Sequence, residues 1–284
     1  MHNIKINRTP SITDHISKCF DGLQFDEESH TYTYNKKKLI STSTYIKKRF
    51  ANKFKAYYLA KIMAKNHNRK CPQCKERDPF YYIYRWKHQS EQSINAGSRV
   101  HNYAEFGYPL FLDPPVCEQE KGVIDFFSDL PKKYSVLFLE LRMYMKDYLK
   151  AGTADGILLN KETNKIVIID YKTNTKNLHQ CYKGGKLRGC FSHLYDCDLN
   201  KYCIQLNDYH NMIEMVTGIE VEEKWIIHFS TSDIYLYDLG KDSDKYIIDD
   251  TMKPYIVKPR YKIYQIPDYT ELLKKDYDLW ITGQ

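Results

Sequence analysis

Four charged side chains follow one another along the chain at spacings that could bring them to one edge of a β-sheet. They are Glu140, Asp155, Asp170 and Lys172. Because side chains alternate along a strand, Asp170 and Lys172 share one face, and Tyr171 points to the other. Carboxylate oxygens suit hard divalent cations, and an ammonium group can neutralise phosphate charge. The set therefore favours a divalent metal site beside a group that handles phosphate charge.

The segment before Asp170 is typical of a strand buried on both faces. Residues 166–169 are all apolar and β-branched. Charges at the end of such a strand are costly unless they are paired, bound to a metal or open to a cleft. A plain ion pair between Asp170 and Lys172 is the alternative interpretation. The acids at 140 and 155 favour the metal site instead.

A histidine upstream adds a candidate nitrogen ligand. His101 lies four residues before Glu105, so both belong to one face of a helix. A histidine without any ligand role is the alternative. The preceding Gly97 and the downstream acids favour ligation, which would tilt metal preference toward manganese.

A downstream helix carries a second polar pair. Gln205 and Tyr209 occupy positions i and i+4 of a predicted helix. This helix runs from about 199 to 217 and is followed by Gly218 as a stop signal. An ordinary polar helix face, with Tyr209 in the core, remains the alternative.

The order of these motifs resembles the PD-(D/E)XK nuclease superfamily, and within it the RecB-like exonuclease branch. Over about residues 25–230 the chain is similar to mitochondrial genome maintenance exonuclease and related phage and viral exonucleases. The resemblance implies catalytic roles for Glu140, Asp155, Asp170 and Lys172. It implies metal ligation by His101, Glu140, Asp155, Asp170 and the Tyr171 backbone carbonyl. Contacts of Gln205 and Tyr209 with nucleic acid are also implied.

The implied activity is that of a Mg²⁺- or Mn²⁺-dependent DNA exonuclease acting at single-stranded ends in replication, recombination or repair. A single-strand-binding or recombination protein is a candidate partner. Three alternatives stay open: a structure- or sequence-specific endonuclease, a ribonuclease on the same fold, and a non-catalytic nucleic-acid-binding subunit.

The resemblance also implies an α/β fold. We expect a restriction-endonuclease-like core with a central mixed β-sheet flanked by helices, plus an N-terminal helical elaboration. The sheet would contain an antiparallel meander of strands at 135–146, 152–159 and 165–171. Further expected elements are a hairpin at 25–40, helices at about 42–66, 81–106, 118–130 and 269–280, and strands at 223–229 and 234–239. Residues 1–24 are expected to form an irregular arm. Residues 25–284 would form a single nuclease domain, divided into 25–130, 131–240 and 241–284.

Two further groups of side chains are candidates for binding nucleic acid. A basic loop after the catalytic lysine contains Lys176, Lys183, Lys186 and Arg188, which either grip phosphates or form a solvated loop. The aromatic cluster Tyr81, Tyr82, Tyr84 and Trp86 either stacks on bases or packs in a core, and we expect at least half of it in the core.

Composition is consistent with these expectations. The 284 residues carry a net charge of +7, which suits a polyanionic partner. The sequence has neither an apolar run of membrane-spanning length nor a signal-peptide pattern, so we expect an intracellular, non-secreted protein without a membrane partner, in a cytoplasm, a nucleoid or a virus-infected cell.

The eight cysteines are expected to be free thiols in such a compartment. No cysteine follows Cys203, so the iron–sulfur pattern of some related nucleases is absent and no such cluster is expected. Cys71 and Cys74 form a zinc half-site without a matching second half, so a structural zinc is a minor alternative.

Overall fold

A computed structural model describes residues 11–107, 114–174, 177–229, 246–249 and 251–283. Its helices are α1 Ile12–Cys19, α2 Thr42–Arg49, α3 Ala56–Lys70, α4 Pro79–Asn102, α5 Glu118–Asp129, α6 Asp198–Thr217 and α7 Thr270–Thr282. A π-helical turn, Tyr103–Gly107, continues α4. Among these described helices, none combines the length and apolar character that a bilayer crossing requires.

The strands form one large sheet and one small one. They are β1 Leu23–Asp26, β2 Thr31–Tyr34, β3 Lys37–Ser41, β4 Tyr134–Met145, β5 Lys150–Asn160, β6 Lys165–Lys172, β7 Gln180–Tyr182, β8 Val221–Phe229, β9 Tyr246–Ile248, β10 Ile256–Val257 and β11 Tyr261–Gln265. The large sheet has the order β1-β2-β3-β5-β6-β8-β11-β10, with β4 also paired to β5, while β7 and β9 pair separately.

The centre of the sheet confirms the predicted mixed α/β architecture. Strands β4, β5 and β6 form the antiparallel meander. Strand β6 then pairs with β8 in parallel, as β3 does with β5. Parallel neighbours require a crossover, and α6 supplies it between β6 and β8. The arrangement is consistent with a restriction-endonuclease-like core.

Strand β5 shares one of its edges between two partners. Strand β3 pairs only with Lys150 and Ala151, and β6 pairs only from Gly156 onward. Tyr209 of α6 packs against the stretch between them: a Cβ atom built on Gly152 would lie 2.5 Å from its ring. Glycine at 152 therefore allows α6 to approach the sheet where its two halves separate.

The two faces of β6 belong to different cores. Ile166 and Ile168 pack on the side of α6, in a cluster that also holds Leu206 and Ile213. The alternate residues pack on the side of α4 and α5; they are Val167, Ile169 and Tyr171. Asp170 and Lys172 continue the α6-facing series, as the period-two pattern predicts.

The predicted irregular arm is wrong for residues 11–24. Ser11 caps α1 through a hydrogen bond to the Asp14 amide, and Asp14 closes the capping box. Ile16 of this helix is fully buried in the main core. Residues 1–10 lie outside the described part of the chain, and the division into domains remains a prediction.

Most other predicted elements are confirmed within a few residues, and one helix is corrected. The helix expected over 42–66 is two helices, α2 and α3, separated at residues 50–55. Phe50, just after α2, packs in the core, and Lys55 precedes α3 without a side-chain cap. The strand expected at 234–239 lies outside the described residues.

Candidate metal centre

Three side chains from three different elements converge at one point. His101 comes from the last turn of α4, Glu140 from the middle of β4 and Asp155 from the middle of β5. One ligand atom from each lies within 4.8 Å of the other two. The His101 Nδ1 atom is 3.4 Å from Asp155 Oδ1 and 3.6 Å from Glu140 Oε1. Among the residues that the structure describes, this is the only such group of histidine, cysteine and acidic side chains.

The backbone of Glu140 is what directs its carboxylate to this point. Leu139 pairs with Gly156 and Leu141 pairs with Ala154, so Glu140 lies opposite Asp155. Its φ angle is 55°, in the left-handed region that side-chain-bearing residues rarely adopt. Such a backbone costs about 1–3 kcal/mol and is typically found at functional sites.

Asp155 links the three-residue group to strand β6. Its Oδ2 atom accepts a hydrogen bond from the Tyr171 amide at 2.5 Å, just beyond the end of the β5–β6 ladder. Its Oδ1 atom faces His101. One oxygen is therefore held by the sheet, while the other is available to a ligand.

Asp170 and Lys172 lie beside this group and contact each other. The Lys172 ammonium forms an ion pair with Asp170 Oδ2. It also lies 4.6 Å from the centre of the Tyr202 ring, a cation–π contact. The Tyr202 hydroxyl donates to Asn174 Oδ1 at 3.1 Å. Lys172 is thus held between an acid of its own strand and an aromatic ring of α6.

Electrostatic coupling joins the two halves of the site. Burial alone would lower the pKa of His101, but the carboxylates of Asp155 and Glu140 raise it to about 10. Burial raises the pKa of Asp170 to about 6, against the opposing effect of Lys172. Burial also opposes the charge on Lys172, yet Asp170 and Asp155 raise its pKa.

The donor set fits a hard or borderline divalent cation. Two carboxylates and one imidazole suit magnesium or manganese, and the imidazole favours the latter. His101 and Glu140 keep about a quarter of their side-chain surface exposed, at 27% and 25%, so a ligand can reach them. Asp170 lies outside the three-residue group and is paired with Lys172 instead. The roles of Asp170 and of the Tyr171 carbonyl as ligands remain predictions.

The side chain of Tyr171 lies where strand alternation places it. Its ring packs on the opposite side from Lys172, with ring centres 5.8 Å from His101 and 5.7 Å from Phe229. This aromatic packing fixes the ring of His101 at the end of α4.

Gln205 and Tyr209 reach the site from α6. The Gln205 amide donates to Tyr209 Oη at 2.8 Å and to Asp170 Oδ1 at 3.4 Å. Tyr209 is only 4% exposed. Gln205 therefore holds the Asp170 carboxylate from the side of α6, and Tyr209 holds Gln205. Contact of Gln205 and Tyr209 with nucleic acid remains a prediction.

The basic loop is tied to the rest of the protein at two of its four predicted residues. Arg188 donates to the carbonyls of Lys48 and Ala51, at and just beyond the end of α2. Lys186 donates to the His193 carbonyl and lies over the Tyr195 ring. Lys183 is exposed, and Lys176 lies outside the described residues.

The expectation of free thiols is wrong for two cysteines. Cys71 and Cys74 are joined in a disulfide, which also removes the thiolates that a zinc half-site requires. The other six are free: Cys19, Cys117, Cys181, Cys190, Cys197 and Cys203.

Sequence reasoning missed Tyr202 and the backbone of Glu140. Tyr202 precedes Gln205 by three residues, so helical periodicity places both on the face of α6 that is directed toward Lys172. This spacing could have identified Tyr202 from the sequence. No local signal accompanies the positive φ at Glu140, since neither glycine nor asparagine occurs there.

Comparison with known proteins gives one partial similarity. No protein-family model matches the chain. A stretch of 112 residues, 38% of this chain, is 30% identical to an ATP-dependent helicase/nuclease subunit from Clostridium acetobutylicum. The matched stretch spans 7% of the length of that relative. The similarity is consistent with a relationship to the RecB-like nuclease superfamily.

Proposed function

We propose that this protein is a metal-dependent DNA nuclease that hydrolyses phosphodiester bonds at single-stranded ends. The observation that carries the proposal is the convergence of His101, Glu140 and Asp155 beside the ion pair of Asp170 with Lys172. The partial similarity to a bacterial helicase/nuclease subunit supports the same chemistry.

The donor group would hold Mg²⁺ or Mn²⁺ through His101, Glu140 and Asp155. A cation there supplies Lewis acidity, which makes water more acidic and neutralises phosphate charge. The neighbouring carboxylates keep the His101 imidazole protonated at neutral pH. The imidazole must therefore give up this proton before it can bind a metal. Glu140 and Asp155 attract a divalent cation more strongly than the proton that it would replace, because the cation carries two positive charges.

Lys172 supplies a positive charge that persists at neutral pH. Asp170 and the Tyr202 ring restrict the ammonium to one side of β6. An ammonium in this position can stabilise negative charge that develops on a phosphate or orient an attacking water. Gln205 holds the carboxylate of Asp170 and so contributes to the position of Lys172.

One nuclease assay tests the proposal. Linear single-stranded DNA labelled at either end, linear duplex DNA, single-stranded RNA and a circular single strand are incubated with the protein and Mg²⁺ or Mn²⁺. We expect metal-dependent degradation of the linear single strand, and loss of at least 100-fold in rate for Lys172→Ala, as for removal of other electrostatic stabilisers.

The matched control is Lys165→Ala, since Lys165 begins the same strand and forms an exposed pair with Glu220. This variant should cut at the wild-type rate. Cleavage of the circle would replace the exonuclease assignment with an endonuclease. Equal rates for wild type and Lys172→Ala would remove the proposed centre.

A further inference from the structure

The helical hairpin formed by α3 and α4 differs in charge from the rest of the molecule. We define residues 53–96 as the α3–α4 arm. It holds ten of the 43 lysines and arginines but only three of the 36 acids, which leaves 33 of each sign elsewhere. The whole net charge of +7 therefore belongs to the arm.

The arm also carries most of the exposed aromatic side chains. Nine aromatic side chains are exposed in the described parts of the chain, and six belong to the arm: Phe54, Tyr57, Tyr58, Phe80, Tyr81 and Tyr84. Tyr84 is the most accessible, at 73%. Exposed aromatics in such number on one small element are characteristic of an interaction surface.

The six exposed rings do not belong to the small buried core of the arm. The hairpin has its own small core of Ala60, Ala64 and Tyr82, separate from the two main cores, with Trp86 packed against it. Of the four aromatics in the predicted cluster, Tyr82 and Trp86 serve this core, and Tyr81 and Tyr84 face solvent.

Basic and aromatic groups are interleaved on the arm. Tyr57, Lys61 and Lys65 follow at intervals of four residues and share one face of α3. The Tyr57 ring contacts the Phe80 ring of α4 at 6.1 Å, which brings the aromatic residues of the two helices together. Among the described residues, the structure pairs only one of the ten basic groups with an acid, Lys87 with Glu91.

We propose that the α3–α4 arm is a binding surface for single-stranded nucleic acid, on which phosphates contact the lysines and arginines and bases stack on the exposed rings. Stacking rings beside a basic track are what a single strand requires. A duplex offers the phosphates but keeps its base faces inside the helix. An acidic protein surface matches the charge but does not present a regular series of flat base faces on which the rings can stack.

The position of the arm connects it to the metal centre. Helix α4 runs without a break from Tyr84 to His101, a distance of about 26 Å along its axis. A strand held on the arm is therefore a few nucleotides away from His101. This inference deepens the proposed nuclease function, since it identifies how the strand would be held before it reaches the site.

The test measures binding without cleavage, so that it does not depend on the nuclease activity. A fluorescein-labelled oligothymidylate, long enough to span the distance from His101 to Tyr84, is titrated with Lys172→Ala protein in EDTA. Binding is followed by fluorescence anisotropy at several salt concentrations. A hairpin duplex of the same charge serves as the competitor.

The first comparison removes stacking. The double variant Tyr58→Ala with Tyr84→Ala should bind the single strand about 30-fold more weakly or worse, because each lost ring removes about 1 kcal/mol or more of stacking on one base. Tyr255→Ala, which removes a ring that is 65% exposed outside the arm, should bind as the parent does.

The second comparison removes charge. Each phosphate contact on a single strand contributes about 0.7 to the magnitude of the slope of log affinity against log salt concentration. Lys61→Gln with Lys65→Gln removes two such contacts and should therefore reduce that magnitude by about 1.4. The control, Lys132→Gln with Lys161→Gln, removes two exposed lysines outside the arm and should leave the slope unchanged. Unchanged melting temperatures would show that all variants fold.

The outcomes separate this inference from the proposed function. If both arm variants bind like the parent, or if the duplex competes as well as the single strand, the arm is not a single-strand surface, whatever the nuclease assay shows. If the arm variants bind weakly but Lys172→Ala cuts normally in the nuclease assay, the arm inference stands and the catalytic proposal fails.

Discussion

Glu140 combines a conformational cost with a position in the candidate metal centre. Its left-handed backbone places the carboxylate opposite Asp155, where two acids and His101 share a small volume. Burial raises the pKa of the Glu140 carboxyl, and His101 opposes that effect. A residue selected for stability alone would be glycine at this φ angle.

We therefore predict different stabilities for two variants that both remove the carboxylate. Glu140→Gly should be more stable than Glu140→Ala by about 1 kcal/mol, because only glycine adopts this backbone without steric cost. Urea denaturation of the metal-free proteins measures the difference. As a control, the same pair of substitutions at Leu141, whose backbone is not left-handed, should favour alanine. An alanine variant as stable as the glycine variant would show that the backbone at 140 is not strained.

A buried ion pair fixes helix α6 against the sheet. Lys150 of β5 and Asp208 of α6 are both fully buried and contact each other. The Lys150 ammonium lies 3.4 Å and 4.0 Å from the ring centres of Tyr45 and Tyr277. Thr42 donates to the other oxygen of Asp208 at 2.6 Å. Asp208 is adjacent to Tyr209, so this network sets the position of α6 beside the candidate metal centre.

Because of this pair, the free energy of unfolding should depend on pH in the alkaline range. Burial lowers the pKa of Lys150 to about 8, with Asp208 opposing the shift. Between pH 8 and 10.5 the unfolded chain binds more protons at this lysine than the folded one, so the free energy of unfolding should rise with pH, by up to about 3 kcal/mol. Denaturation at several pH values measures this rise.

The control removes both charges together. Lys150→Met with Asp208→Asn should lose that rise, while other alkaline titrations continue in both proteins. Lys150→Met alone should destabilise the fold by about 3–5 kcal/mol, because the carboxylate stays buried without its cation. An identical pH profile for wild type and the double variant would contradict the assignment of the shift to Lys150.

At the scale of the whole molecule, the candidate metal centre brings together parts of the chain that are far apart in sequence. Helix α4 carries His101 and the π-helical turn beyond it, whereas Glu140 and Asp155 belong to the central sheet. A cation at this point would join the C-terminal end of α4, beyond the α3–α4 arm, to the sheet. Binding to the folded state alone stabilises it by mass action.

We predict that Mn²⁺ at about 100 times its dissociation constant raises stability by about 2.7 kcal/mol, or roughly 5 °C in melting temperature. Thermal unfolding with and without the ion measures this. Asp155→Asn should abolish the response, whereas Asp147→Asn, at an exposed acid on the turn between β4 and β5, should retain it. A response that survives in Asp155→Asn would place the ion elsewhere.

The sequence by itself determined the local pattern of this protein. The apolar, β-branched run of β6, the turn-bounded meander and the helical spacing of Gln205 and Tyr209 all follow from backbone stereochemistry, which acts over a few residues. That is why the mixed α/β core, and the faces of Asp170, Tyr171 and Lys172, were predictable. The charge of the α3–α4 arm can also be read directly from its residues.

Only the tertiary structure decided which charged groups meet. The resemblance implies one ligand set that contains His101, Glu140, Asp155 and Asp170. The fold brings the first three together and pairs Asp170 with Lys172, so a ligand role for Asp170 stays a prediction. Those contacts depend on the register of β4 against β5, on the left-handed backbone of Glu140 and on where α4 ends. The sequence around Glu140 does not predict its left-handed backbone. Each of these is set by packing between distant segments, since no local preference specifies a distance between two elements.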